Sequence, residues 1–203
     1  MHPRGLLPDC VVEMNDALAL LELDSVAGGL AALDVLVKQA PVEVFEANLV
    51  EPGKFLILFA GGVAEVEESH AVVLERFGGQ LLSEMYLPMV HSALVDGLRG
   101  VENRKTPDTL GVVEGTDVAA TLKAADRALK DASVVLCGLR VAVGLGGRAY
   151  FVVAGAQHDV ESSVETSKMV LEEHERLHRV QVISRPHDEM VAWLLRPAPF
   201  RIG

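Results

Sequence analysis

The sequence predicts an α+β protein: two tandem ferredoxin-like modules, each βαββαβα with an antiparallel sheet. Three observations carry that prediction. First, the chain repeats itself: "LALLELDSVAGGLAALDVLVKQAPV" (Leu18–Val42) returns as "LGVVEGTDVAATLKAADRALKDASV" (Leu110–Val134), with Leu18, Glu22, Val26, Ala27, Leu30, Ala32, Asp34, Lys38, Ala40 and Val42 all recurring. Second, "GKFLILFAGGVAEVEES" (Gly53–Ser69) aligns with "GRAYFVVAGAQHDVESS" (Gly147–Ser163), and two residues of further shift pair His91 with His187 and Leu98 with Leu194. Third, strand-length apolar runs and helical stripes follow one another in the same order in both copies.

Each module opens with a short apolar strand, "LALLEL" or "TLGVVEG". Asp24 or Ser25, and Thr116 or Asp117, are the N-cap candidates for the helix that follows. That helix carries an apolar stripe at Val26, Leu30, Leu33 and Val37, repeated at Val118, Leu122, Ala125 and Leu129. Two β-rich runs joined by a glycine turn come next, Val42–Val50 with Phe55–Ala60 and Val134–Val143 with Ala149–Ala154. A second helix, a fourth strand near Leu81–Leu87 or Leu177–Ile183, and a short last helix complete the unit. The expected boundaries are an N-terminal arm (1–16), a first domain (17–98), a polar linker (99–107), a second domain (108–194) and a C-terminal tail (195–203).

Composition narrows the function. Half the residues are hydrophobic, so a packed core is expected, and the net charge of −11, with no Lys/Arg run longer than two, argues against nucleic acid or an anionic membrane as partner. No stretch approaches the ~20 apolar residues of a membrane span, and the charged, proline-interrupted start does not read as a secretory signal. Two cysteines, Cys10 and Cys137, at no metal or redox spacing, fit a reduced cytoplasmic setting.

The segment "EEHERLHR" contains H-E-x-x-H (His174, Glu175, His178), which in a zinc hydrolase places both histidines one turn apart on one helix. The repeat argues otherwise. His174-Glu175 falls opposite Gly78-Gly79, a helix stop, so the pattern is expected to straddle a helix end, a turn and a strand. "GLGGR" invites a phosphate-loop reading, but no Lys-Ser/Thr follows and the next element is a strand. No Ser/His/Asp, Cys/His or carboxylate set recurs in both copies, so neither a catalytic nor a metal site is expected.

Read as a unit, the repeat resembles the bacterial microcompartment shell domain, and the pair resembles a tandem-domain, trimeric shell protein of that family, of the unpermuted type. The resemblance rests on "LGVVEGTDVAATLKAADRALKDA", with its Asp126…Lys130…Ala132 spacing and the matching Asp34…Lys38…Ala40. It rests also on "VAVGLGGRAYFVVAG" with "LVEPGKFLILFAG", and on "VISRPHDEM" at the last strand. It covers about residues 17–194 and implies a non-enzymatic structural tile in the shell of a cytoplasmic microcompartment. Three two-module chains would form a pseudohexameric homotrimer with a central pore for small metabolites. Other shell proteins (hexameric and pentameric tiles) and encapsulated enzymes are the further partners it implies. The pore would be lined by Glu51, Pro52, Gly53 and Lys54 of one module and by Gly144, Leu145, Gly146, Gly147 and Arg148 of the other. Glu51 and Lys54, present three times each, would then form charged rings able to select permeants by sign. Lys38, Lys130, Arg185, His187 and His91 would lie at tile edges, although Met89 stands where the second copy has Arg185. Some relatives are held to carry an iron–sulfur cluster at the pore through cysteines; neither pore loop here contains one, so no cofactor is expected. Two other readings compete: a small-molecule-binding or sensory protein on the same duplicated fold, and a metalloenzyme using His174, Glu175 and His178.

Overall fold

The computed structural model describes residues 16–101, 108–142 and 144–194. The N-terminal arm through residue 15, the middle of the linker (102–107) and the tail from 195 lie outside the described residues. The first module runs β1 (Ala17–Leu23), α1 (Val26–Gln39), β2 (Glu43–Val50), β3 (Lys54–Gly61), α2 (Val63–Phe77), β4 (Leu81–Pro88) and α3 (Ser92–Leu98). The second repeats it as β5 (Thr109–Gly115), α4 (Val118–Asp131), β6 (Val135–Val141), β7 (Ala149–Gly155), α5 (Gln157–Glu173), β8 (Leu177–Ser184) and α6 (Asp188–Leu194). Strand orders are β2-β3-β1-β4 and β6-β7-β5-β8, every pairing antiparallel. No helix among the described residues is long and apolar enough to cross a membrane.

Helix starts are set locally. Ser25 Oγ accepts from Gly28 N at 3.2 Å and Asp117 Oδ1 from Ala120 N at 2.7 Å, so of each candidate pair the residue next to the helix is the N-cap. Both sheets are apolar on two faces. In β1, Ala17, Ala19, Leu21 and Leu23 pack under α1 and α2 together with Phe55, Ile57 and Phe59. Leu18 and Leu20 point the other way, into a core shared with Leu56, Leu58, Met85 and the second module's Val118, Leu122, Ala125 and Leu129. The helix α4 therefore lies between two sheets, its own and that of the first module, and nearly all of it is buried. The short helix α3 reaches across the same joint, where a Cβ on Gly97 would strike Leu136 of β6 at 2.6 Å.

One sequence expectation needs correction here. The apolar stripe of α1 is only in part the face its own module buries: Gly29, Ala32 and Leu36 point fully inward, Val26 and Leu33 are partly buried against the same core, and Leu30 and Val37 are 54% and 46% exposed. Leu122 and Leu129, their repeats, are 0% and 5% exposed. Leu30 and Val37 thus lie on the side that α4 turns to the neighbouring module. Small residues at 29 and 32 let α1 sit close on its own sheet, and a Cβ on Gly29 would meet the Phe55 ring at 2.4 Å.

Candidate functional site: the paired loops and the module edges

The two candidate pore loops meet within a single chain. The β2–β3 hairpin leaves Glu51, Pro52 and Gly53 exposed, with Gly53 at φ 109°. The β6–β7 connection holds Gly144, Gly146 and Gly147 at φ of 74°, 62° and 81°, a left-handed region that glycine enters without strain. Gly147 is buried, and a Cβ on it would stand 2.9 Å from Lys54 Nζ and 3.4 Å from Val50. The second module's loop thus rests on the base of the first module's hairpin. Leu145 is half-buried, and Arg148 is exposed, 3.4 Å from His178 Nε2.

Lys54 is not a free cation. Its Nζ lies 2.5 Å from Glu22 Oε1, with the Lys54 side chain 24% and the Glu22 side chain 5% exposed. The register explains the meeting. Glu22 sits opposite Leu56 on β1's inter-module face, so the side chain two residues earlier on β3 folds over it. In the apolar run of β1 the one signal of this buried carboxylate is Glu22 itself, a charge at a core position. The consequence for the loops is electrostatic: the exposed charges they carry are Glu51 and Arg148, with Lys54 neutralised beneath them.

The edge candidates fall into two matching sets. Lys130 Nζ is 2.6 Å from Asp126 Oδ2, and the buried Asp126 also accepts the backbone N–H of His91 at 2.8 Å. Lys38 Nζ is likewise 2.6 Å from Asp34 Oδ2, but both side chains are exposed. His91 Nδ1 accepts from Ala93 N at 3.2 Å and His187 Nδ1 from Glu189 N at 3.3 Å, so each histidine caps the short helix that follows it. Arg185 and Met89 share one backbone conformation, φ 50° and 55°, and both are exposed; the side chain differs while the turn does not.

The H-E-x-x-H residues do not form a zinc-binding helix. The helix α5 ends at Glu173, His174 is its C-cap, Glu175 turns back at φ 55° and His178 lies in β8. His174 instead lines a cleft of about 160 Å³ between the modules, with Ser83, Glu84, Asp117, Lys123 and Arg176. Behind that cleft the sequence reading missed a buried histidine. His70 lies 3.0 Å from Glu84 and stacks on Tyr86 with ring centroids 5.8 Å apart. Burial pulls its pKa below the ordinary value, the Glu84 carboxylate opposes the shift, and Lys123 adds to it. Among the described residues no group of three or more His, Cys, Asp or Glu is placed to hold a metal ion. Cys137 is buried in β6, in no disulfide, with its thiol 3.9 Å from the Val135 carbonyl oxygen.

Comparison with known proteins agrees with this geometry. The BMC domain family matches residues 17–90 and again 109–186. The chain is 35% identical over 177 residues to the bacterial microcompartment shell protein PduT of Citrobacter freundii, covering 87% of this chain and 96% of that one. A crystal structure of a microcompartment protein from Desulfitobacterium hafniense DCB superposes with a TM-score of 0.79 at 32% identity, covering 86% of this chain and 97% of the other. The fused permuted hexameric shell protein of the RMM microcompartment shares the fold, with a TM-score of 0.59 at 18% identity over 78% and 85% of the two chains. Nothing in these comparisons supports a sensory or ligand-binding protein, and the relatives named for a role are structural shell proteins.

Proposed function

The chain belongs to the BMC domain family, two domains in tandem, and is a shell protein of a bacterial microcompartment; from that premise we propose that three copies close into a pseudohexameric tile around a central pore. The observation that carries the proposal is the joint inside the chain. The open face of the first sheet covers the Leu122/Leu129 face of α4, while on the same face of α1 Leu30 and Val37 stay about half exposed, with no second sheet over them among the described residues. A head-to-tail contact repeated at a fixed rotation closes a ring. On the second sheet Leu110, Val112, Tyr150 and Val152 line the face that matches the first sheet's Leu18, Leu20, Leu56 and Leu58, with Leu110 and Val152 buried in a small cluster beside Met190 and Leu194 of α6. Seating Leu30 and Val37 of one copy on that face of the next makes the external joint a repeat of the internal one. Leu30 and Val37 are already half covered, so each contributes roughly 1 kcal/mol, about half of what burying a fully exposed side chain would give.

In such a ring the loops at 51–54 and 144–148 converge on the axis, with Glu51 and Arg148 as the exposed charges beside the opening. Lys38, Lys130 and Arg185 face outward, where tile meets tile and where other shell proteins join the layer. Enclosed enzymes and the metabolites that cross belong to the same reading. Native mass spectrometry tests the ring directly: a species near 65 kDa, about three times the 21.8 kDa chain, is expected. A monomer would sink the tile. Lys130→Ala and Arg185→Ala are expected to leave that species intact while abolishing two-dimensional sheets in electron micrographs; loss of the trimer would contradict the edge assignment.

A further inference from the structure

Two polar groups that the chain leaves without partners match, residue for residue, two groups that it joins internally. At the internal joint Asp126 bridges the modules: one carboxylate oxygen takes the His91 N–H, the other holds Lys130, and the residue is 5% exposed. Asp34 stands at the same position of α1. Its Oδ2 holds Lys38, its side chain is 59% exposed, and Oδ1 has no donor among the described residues. His187 stands at the same position as His91, its ring engaged identically, yet its backbone N–H donates to nothing among the described residues.

We infer that Asp34 is a positioning residue across the joint between copies, its Oδ1 accepting the backbone N–H of His187 of the next copy while Oδ2 fixes Lys38. The inference rests on the ring proposed above and goes beyond it. In the free chain the Asp34–Lys38 pair is an exposed i,i+4 contact, which holds a lysine only weakly. Once the ring closes, the carboxylate loses water and gains a charge-assisted bond from a main-chain donor that cannot rotate away. Lys38 is then held as Lys130 already is. Closing the ring therefore aligns the lysine, so that tiles join only after the trimer is complete.

The test is residue-resolved amide exchange on the full chain, with native mass spectrometry of the same samples. Wild-type trimers are expected to protect the His187 amide about as well as His91, the built-in reference. Asp34→Asn keeps the shape but removes the charge, and is expected to speed exchange at His187 by about tenfold while leaving His91 unchanged. Lys38→Ala, which spares the carboxylate, is expected to leave His187 protected. Trimers whose His187 exchanges freely, or equally in wild type and Asp34→Asn, would overturn the inference alone. Absence of any wild-type trimer would instead remove the ring on which it rests.

Discussion

The helices α1 and α4 share one sequence pattern and occupy opposite surroundings. Each has 14 residues, an oxygen-bearing N-cap, an aspartate and lysine four apart in the second half, and an apolar residue at each matching stripe position. Yet α4 is enclosed by two sheets and α1 by one. The difference lies not in the helices but in their surroundings: the first module's sheet lies against α4, and among the described residues no second sheet lies against α1. A stripe of this kind reports a neighbour, and whether that neighbour is covalent is settled elsewhere in the sequence.

The sharpest way to break the comparison is to charge the same position in both helices. Leu122→Glu places a carboxylate in the shared core and is expected to cost about 4 kcal/mol or more, unfolding the chain well below the wild-type Tm. Leu30→Glu is expected to shift the unfolding of the isolated chain by less than about 0.5 kcal/mol, yet to leave it monomeric by native mass spectrometry. Equal destabilisation by both would mean that α1 is buried within its own chain.

The second contrast sets Lys54 against Arg148, the same loop position in the two modules. Lys54→Met strands the buried Glu22 and is expected to cost about 2 kcal/mol, less than a fully enclosed pair because Lys54 keeps some water. Arg148→Met, on an exposed side chain, is expected to stay within about 0.5 kcal/mol. Denaturant unfolding of the two variants side by side decides this. Equal costs would mean that the second loop hides a pair of its own.

The smallest effect is a dependence on pH. His70 has Val164 as its counterpart in the second module. Burial keeps His70 neutral in the folded chain, with Glu84, Tyr86 and Lys123 around it, whereas the unfolded chain binds its proton near the ordinary value. The unfolded state thus takes up more protons as pH falls through about 6.5, and stability falls with it. The Tm is expected to drop on acidification from pH 7.5 to 5.5, and the part of that drop due to His70 to vanish in His70→Val. An identical pH profile in the variant would show that the histidine is not titrating.

What the sequence disclosed depends on how far apart the interacting residues are. Strand limits, the Ser25 and Asp117 caps, and the helix end inside "EEHERLHR" are local, and the second copy offered a check on each: the glycines at 78 and 79 exposed the false zinc helix. The Lys54–Glu22 pair was hidden because 32 residues and a sheet register separate its members, and Glu22 looked like an interruption in an apolar strand. The bond from Asp126 to the His91 N–H was hidden for a similar reason, since that N–H comes from the other module. Where Met89 replaces Arg185, the sequence suggested a lost feature; the backbone shows the turn retained and only the side chain exchanged.

Gly147 sits against Lys54, with no room for a methyl group between them. The identity of one residue therefore constrains the other across the duplication. A side chain at 147 would have to take a φ of 81°, which glycine alone enters without strain, and would push the Lys54 ammonium from its place on Glu22. The two halves are therefore not free to diverge independently at this point: a change in the second loop is felt by an ion pair of the first.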